Sequence, residues 1–143
     1  MKRGTALRAM VDSYAWVEIF KGSAAGKAAK EQLEASDEAF TPDVVLAELA
    51  VKYLREGEEP RAIRRWLQTV TEATQVLGID ISIAEESAKS SIVLVKRAGE
   101  NGLPKPGLAD AVVLASARIS QAQVLTGDQH FRGLPDTLWL GGK

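Results

Sequence analysis

Short runs of apolar residues alternate along the chain with longer stretches in which apolar residues recur every three or four positions. The short runs predict buried strands, and the longer stretches predict amphipathic helices. The predicted strands lie in the segments LRAMV, EAFTP, TQVLGI, QVLTG and TLWLG. Strands that alternate with helices are typical of a parallel sheet covered on both faces. We therefore expect an α/β fold, a three-layer sandwich with a central, mostly parallel sheet.

Residues that commonly begin helices mark several of the predicted boundaries. Asp12 or Ser13 is expected to cap the first helix, which directly follows the first strand. Thr41 is predicted to cap the helix that contains PDVVLAELAV, with the following proline in its first position. Ser82 and Glu85 have the spacing of a capping box and predict the start of a long helix.

Length and composition narrow the class of protein. The 143 residues suit one domain spanning residues 1–143. Because 18 basic residues face 19 acidic ones, the net charge of −1 argues against binding of nucleic acid by bulk positive charge. The chain has no cysteine, which excludes a disulfide scaffold and thiolate metal sites.

The sequence contains no apolar run long enough to span a membrane. Its first residues, MKRGTALRAMV, are basic, but their apolar stretch is too short and too interrupted for a signal peptide. The default expectation is a cytoplasmic protein without a membrane partner.

Four acidic residues are candidates for a functional site. Asp12 ends the first predicted strand, Asp128 follows the QVLT strand, and Asp110 lies in the first turn of the helix before that strand. Ligands of open parallel sheets bind beyond the carboxyl ends of the strands, where these residues are expected to lie. Glu48 is different, since it lies in the middle of a helix among apolar neighbours.

Each acid also has an ordinary structural explanation. Asp12 and Asp110 have the positions of helix caps or first-turn acids, Asp128 that of a turn residue, and Glu48 that of a solvated helix edge. If the four carboxylates converge, they repel one another unless a cation neutralises them. An oxygen-only set of ligands favours Mg²⁺ or Mn²⁺ over Zn²⁺.

The segments MVDSYAWVEIF, TPDVVLAELA and LADAVVLASARISQAQVLTGDQHF resemble the PIN domain, and in particular the VapC-type toxins of toxin–antitoxin pairs. The resemblance extends over nearly the whole chain. It implies a metal-dependent endoribonuclease that cleaves RNA phosphodiesters with a metal-activated water. It also implies a homodimer that a cognate antitoxin protein holds inactive.

The resemblance assigns roles to individual residues. The catalytic, metal-binding acids that it implies are Asp12, Glu48, Asp110 and Asp128. Ser13 and Thr126 match small hydroxyl residues that orient the carboxylates or a bound water. The only histidine, His130, is a candidate proton shuttle beside Asp128, although a structural role is the more ordinary explanation.

An RNA substrate also needs local positive charge beside so many acids. The candidate phosphate contacts are Arg61, Arg64, Arg65, Lys96, Arg97 and Lys105, each of which has a solvated surface position as its simpler explanation. Trp16 follows Asp12 closely but has helical spacing with Ile19 and Phe20, which favours a place in the core over a role in base stacking.

Three other functions compete with a toxin nuclease. A phospho-acceptor receiver domain matches poorly, because Asp12 is followed by Ser13 and Asp128 stands where a lysine is required. A PIN-family nuclease of RNA processing, outside a toxin–antitoxin pair, would carry the same acids. The third alternative is a catalytically silent α/β binding module.

Overall fold

The computed structural model describes residues 6–142. Within that range the strands are β1 (Arg8–Val11), β2 (Glu38–Pro42), β3 (Gln75–Leu77), β4 (Gln123–Thr126) and β5 (Thr137–Trp139). The helices are α1 (Ser13–Lys21), α2 (Ala24–Ala35), α3 (Asp43–Arg55), α4 (Pro60–Ala73), α5 (Ile81–Glu100) and α6 (Leu108–Ile119). A short 3₁₀ helix, Gln129–Phe131, follows β4. The predicted single domain of residues 1–143 and the basic segment that begins at Met1 extend partly outside the described residues.

The five strands form one sheet in the order β3-β2-β1-β4-β5. Every neighbouring pair is parallel, so the predicted α/β class is confirmed and the sheet is wholly parallel. β1 lies at the centre, where Met10 is opposite Phe40 of β2 and Val124 of β4. The carboxyl ends of β1 and β4 therefore meet at the same edge of the sheet.

Both faces of the central strands are covered. Met10 and Val11 are both completely buried, as are Val124 and Leu125, although successive side chains of a strand point to opposite faces. Since crossovers between parallel strands are right-handed, the helices between β1 and β3 cover one face, and α5 and α6 cover the other. The predicted three layers follow from this arrangement. None of the helices within residues 6–142 is long and apolar enough to cross a membrane.

The prediction that Thr41 caps the third helix is wrong. Thr41 lies in β2 and is fully buried, and Pro42 takes the cap position without a side-chain hydrogen bond. The Thr41 hydroxyl instead accepts from the indole Nε1 of Trp16 at 3.2 Å and shares a 2.6 Å hydrogen bond with the hydroxyl of Thr74. A buried indole N–H requires a partner, and this tertiary demand takes precedence over the local capping preference.

The start of α5 is also displaced from its predicted position. Asp80 is the cap, and its Oδ1 accepts from the backbone N–H of Ile83 at 2.8 Å. Ser82 and Glu85 lie inside the helix. An aspartate that precedes the segment satisfies the free N–H group directly, so the predicted capping box is not used.

Apolar segments of α5 and α6 differ in burial. The α6 segment AVVLASA is buried throughout, and Leu94 of α5 is also buried. Ile92, in the SIVLVK segment of α5, is 72% exposed and does not belong to the core. Trp16 is 2% exposed, which confirms its predicted place in the core, where its ring stacks on Phe20.

Candidate functional site

Asp12 lies at the carboxyl edge of the sheet, immediately after the central strand β1. It caps α1 and is only 3% exposed. Its Oδ1 accepts from the backbone N–H of Ser13 at 2.8 Å, and its Oδ2 accepts from the hydroxyl of Thr126 at 2.8 Å. The cap that sequence reasoning offered as the ordinary explanation is therefore present, but it leaves further lone pairs on a deeply buried carboxylate.

Thr126 connects the acids that follow β1 and β4. Its fully buried hydroxyl donates to Asp12 and accepts from the backbone N–H of Asp128 at 3.0 Å. Because β1 and β4 pair directly, the last residue of β4 lies beside the first residue after β1. The hydroxyl thus fixes the orientation of the Asp12 carboxylate relative to the loop that carries Asp128.

Glu48 projects from the middle of α3 toward the same region. Burial, the largest cause, and the charges of Asp12, Asp110 and Asp128 together raise its pKa to about 7, against the opposing effect of the Ser13 side chain. A carboxylate interacts with three others in this way only when all four lie near one another. The solvated-edge explanation of Glu48 therefore does not account for its position.

Asp110 lies in the first turn of α6. Its Oδ2 accepts from the backbone N–H of Gly107 at 3.0 Å, which closes the start of the helix. Burial raises the pKa of Asp110; the Gly107 hydrogen bond opposes this shift, and the charge of Asp128 adds to it. Asp110 is therefore both a helix-start acid and a member of the acidic group.

His130 connects the loop after β4 to the segment before α6. Its Nδ1 lies 2.8 Å from Oδ1 of Asp128, and its Nε2 lies 2.8 Å from the carbonyl oxygen of Pro104. Burial lowers the pKa of His130, but hydrogen bonds to Pro104 and Asp128 outweigh burial, so the net shift is upward. Because both ring nitrogens face acceptors, the doubly protonated ring satisfies the geometry. When it is protonated, His130 places positive charge beside Asp128 and Asp110.

The electrostatics of the four acids favour a cation. Burial is the main cause that raises the pKa of Asp12 to about 7; the charges of Asp110 and Asp128 contribute to this shift, and the hydrogen bonds from Thr126 and Ser13 oppose it. The oxygens of these four carboxylates are the type of ligand that hard divalent cations prefer. Within residues 6–142, no three acidic or histidine side chains are gathered tightly enough to form a ready-made metal site. The chemistry of the donors fits Mg²⁺ or Mn²⁺, whereas the coordination would require the side chains to draw closer.

The predicted phosphate contacts lie in several places. Arg61, Arg64 and Arg65 are exposed on α4, and Arg64 lines a surface hollow with Ala50 and Leu54 of α3. Lys96 and Lys105 are exposed. In contrast, Arg97 is half-buried, and its Nη2 donates to the backbone carbonyl of Arg132. Arg97 therefore contributes to the structure at the end of α5 as well as to its charge.

Two basic residues that sequence reasoning missed lie beside Glu48. Lys52 and Arg55 line a hollow of about 370 Å³ together with Glu48 itself. Lys52 also forms an ion pair with Glu56. The signal was available in the sequence, because residues 48, 52 and 55 have the i, i+4, i+7 spacing that places side chains on one face of a helix.

Comparison with known proteins is consistent with this architecture. The sequence matches the PIN domain family over residues 9–136. Among curated proteins, none matches the chain. The structure is similar to a toxin–antitoxin complex from Klebsiella pneumoniae, at 22% identity and a TM-score of 0.63, with 94% of this chain and 99% of that chain covered.

Two further solved structures share the fold. VapBC2 from Rickettsia felis, bound to a DNA fragment from its promoter, is 16% identical with a TM-score of 0.67, over 96% of this chain and 100% of that chain. VapC20 from Mycobacterium tuberculosis, a toxin that cleaves the sarcin-ricin loop, is 22% identical with a TM-score of 0.63, over 89% and 95%. The family match covers most of the residues that build the sheet and all four acids. The resemblance seen in the sequence is thereby confirmed, and the chain belongs to the PIN domain family.

Proposed function

We propose that this protein is a metal-dependent endoribonuclease of the VapC toxin type, built as one domain. The observation that carries the proposal is the buried Asp12, which Thr126 links to the backbone of Asp128 and whose charge acts on Glu48. PIN domains are nucleases, and the VapC20 toxin, which shares the fold, cleaves RNA. A group of acids at the carboxyl edge of a parallel sheet, in which burial raises the pKa values of Asp12, Glu48 and Asp110, is typical of such a site.

Asp12, Glu48, Asp110 and Asp128 are the proposed catalytic residues, and they would hold Mg²⁺ or Mn²⁺. When bound, such an ion supplies charge stabilisation at a phosphate and lowers the pKa of a water molecule. Oxygen ligands and the absence of cysteine favour these ions over zinc. Asp12, which is the most buried of the four and is anchored by two hydrogen bonds, is the central proposed ligand.

The surrounding residues hold these carboxylates in place. Thr126 fixes one oxygen of Asp12 and, through the backbone of Asp128, the start of the following loop. Ser13 donates its backbone N–H to Asp12, and its side chain lowers the pKa of Glu48 against the effect of burial. His130 holds Asp128 and ties it to the Pro104 carbonyl. Together they reduce the reorganisation that the acids need before they can act.

The toxin assignment extends to partners. Several solved structures that share this fold are VapBC complexes, and two of them hold DNA. We infer that a cognate antitoxin protein binds this chain, that the nuclease forms a homodimer, and that it acts on RNA in the cytoplasm. The same acids would serve a nuclease of this family that acts in RNA processing. Inhibition by a small protein encoded beside the gene would distinguish a toxin from such a processing nuclease.

The proposed activity is tested with the purified protein and a single-stranded RNA. We expect cleavage with Mn²⁺ or Mg²⁺, loss of cleavage with EDTA, and its return when excess Mn²⁺ is added. A DNA strand of the same sequence is the matched substrate control and should stay intact. A folded protein that cleaves no RNA with either ion would instead be a silent binding module.

Replacing Thr126 by valine tests the orienting role of its hydroxyl. Valine keeps the size and branching of the side chain but cannot donate to Asp12 or accept from the Asp128 N–H. We expect the kcat of RNA cleavage to fall by about 10 to 100-fold, the range for a lost partner of a metal ligand. Thr126→Ser retains the hydroxyl and should stay close to the parent. Equal rates for the valine and serine variants would contradict the role.

A further inference from the structure

A polar hollow is partly lined by the residue that follows Asp128 in the chain. Its volume is about 390 Å³, and it is lined by Asn101, Leu103, Gln129 and Arg132. Gln129 stands between Asp128 and His130 in the chain, so one wall of the hollow continues into the candidate site. A volume of this order lies within the range of pockets that bind small ligands.

Positive charge without a matching acid collects at this hollow. Arg132 lines it, and its guanidinium lies 5.6 Å from the ring centroid of Trp139. The backbone carbonyl of Arg132 accepts from Arg97, whose Nε is buried without a hydrogen-bond partner among the described residues. Neither arginine takes part in an ion pair within residues 6–142. Arg132 lines the hollow without a carboxylate partner among the described residues, and an arginine so placed favours an anionic ligand.

The walls of the hollow are held by hydrogen bonds. The Asn101 side-chain amide donates to the carbonyl of Arg97 at 2.7 Å, which leaves its own oxygen available as an acceptor. The N–H of Leu103 donates to the Ala98 carbonyl at 2.9 Å. His130, which follows Gln129, contacts the carbonyl oxygen of Pro104, which follows Leu103. The polar groups are therefore presented by an ordered junction between α5, the segment before α6, and the 3₁₀ helix.

From this arrangement we propose that the hollow of Asn101, Leu103, Gln129 and Arg132 binds one nucleotide of single-stranded RNA next to the cleaved phosphate. This inference rests on the proposed nuclease function and names where its substrate is held. Arg132 contacts a phosphate, and the amides of Asn101 and Gln129 face the edge of the base. Amides can both donate to and accept from a base edge that is not paired, which is how proteins read single-stranded RNA.

The acids themselves create the need for such a contact. Four carboxylates repel the RNA backbone, so the nucleotides on either side of the cleaved bond require local cations. The hollow meets the site at Gln129, whereas the exposed arginines of α4 lie along a different helix. Arg132 was not among the residues that sequence reasoning selected, because its place beside the acids depends on the turn after β4.

The test measures binding separately from cleavage. Asp12→Asn serves as the non-cleaving parent, and Arg132→Glu or Arg132→Gln is added to it. Binding of a fluorescein-labelled single-stranded RNA is followed by fluorescence anisotropy. We expect the Kd to rise about tenfold or more for Arg132→Glu and by a smaller factor for Arg132→Gln. The slope of log Kd against log salt concentration should decrease by about one. Lys27→Glu, an exposed residue of α2, is the control with the same change of net charge.

Base contacts are tested by Asn101→Ala and Gln129→Ala, which leave the charge unchanged. We expect these variants to alter the ranking of Kd values among oligo(A), oligo(C) and oligo(U) by at least about threefold. Arg132→Glu that binds RNA within twofold of Lys27→Glu, with unchanged melting temperature, would overturn the subsite. If these variants change the Kd as expected but the parent protein never cleaves RNA, only the nuclease proposal is overturned. The two failures are therefore distinguishable.

Discussion

Asp12→Asn should reduce RNA cleavage by about 1,000-fold or more while leaving the fold intact. Asparagine has the shape of aspartate and retains an oxygen for the Ser13 N–H or the Thr126 hydroxyl. It lacks the negative charge that would hold a divalent cation at the centre of the acidic group. A loss of several kcal/mol of transition-state stabilisation corresponds to a factor of this size. The measurement is kcat/KM on a single-stranded RNA with saturating Mn²⁺.

Asp37→Asn is the matched control for this substitution. Asp37 is exposed, precedes β2, and accepts from the backbone N–H of Leu7 at 2.8 Å, so it lies at the amino edge of the sheet. We expect its cleavage rate to remain within about twofold of the parent, as for most surface changes. If the Asp12→Asn protein cleaves as fast as Asp37→Asn, the activity has another source and the assigned centre is wrong.

The order of strands and helices was predictable because hydrophobic periodicity is a local property. The positions of Asp12 and Asp128 were also predictable, since a residue that follows a strand of a parallel sheet must emerge at its carboxyl edge. The central place of β1 was not visible in the sequence, and it is this pairing with β4 that brings Thr126 beside Asp12. The presence of the acids was therefore predictable from sequence, whereas their network required the sheet order.

Predictions failed where a distant contact replaced a local preference. Thr41 has the sequence context of a cap, but the buried indole of Trp16 takes its hydroxyl. Glu48 gave only an ambiguous signal, because the burial of one residue in a helix depends on what packs against it. Arg132 gave none, since a basic residue after a turn is ordinarily solvent-exposed. Side chains that act through tertiary neighbours are thus the part of the site that sequence patterns identify least well.

The metal-free protein should be less stable at about pH 8 than at about pH 5. In the unfolded chain Asp12 and Glu48 titrate near pH 4, whereas the folded protein raises both pKa values to about 7, chiefly through burial. Between these values the folded state binds more protons, so the free energy of unfolding falls as pH rises from about 4 to 7. His130 acts in the same direction, since stability from its raised pKa is lost as pH rises through that value.

The expected size of this loss is about 3 kcal/mol, because Glu48 is partly solvated and the two acids are coupled. For a chain of this length it corresponds to a melting temperature about 6 to 12 °C lower at the higher pH. Differential scanning fluorimetry in EDTA measures it. Asp12→Asn removes one of the buried charges and should flatten the dependence, while Asp37→Asn should not. A metal-free protein that melts at the same or a higher temperature at pH 8 contradicts the raised pKa values of Asp12 and Glu48.

Adding excess Mn²⁺ should restore most of that stability at about pH 8 and little of it at about pH 5. A ligand that binds only the folded state at 100 times its Kd adds about 2.7 kcal/mol, which raises the melting temperature by about 5 to 10 °C. At the lower pH Asp12 and Glu48 are protonated, so protons compete with the cation for their carboxylate oxygens. The increase should disappear in Asp12→Asn and persist in Asp37→Asn. An equal increase in melting temperature at both pH values, or in both variants, would show that the ion binds elsewhere. The reason is that the protons that bind the buried acids change both the affinity for metal and the stability of the fold.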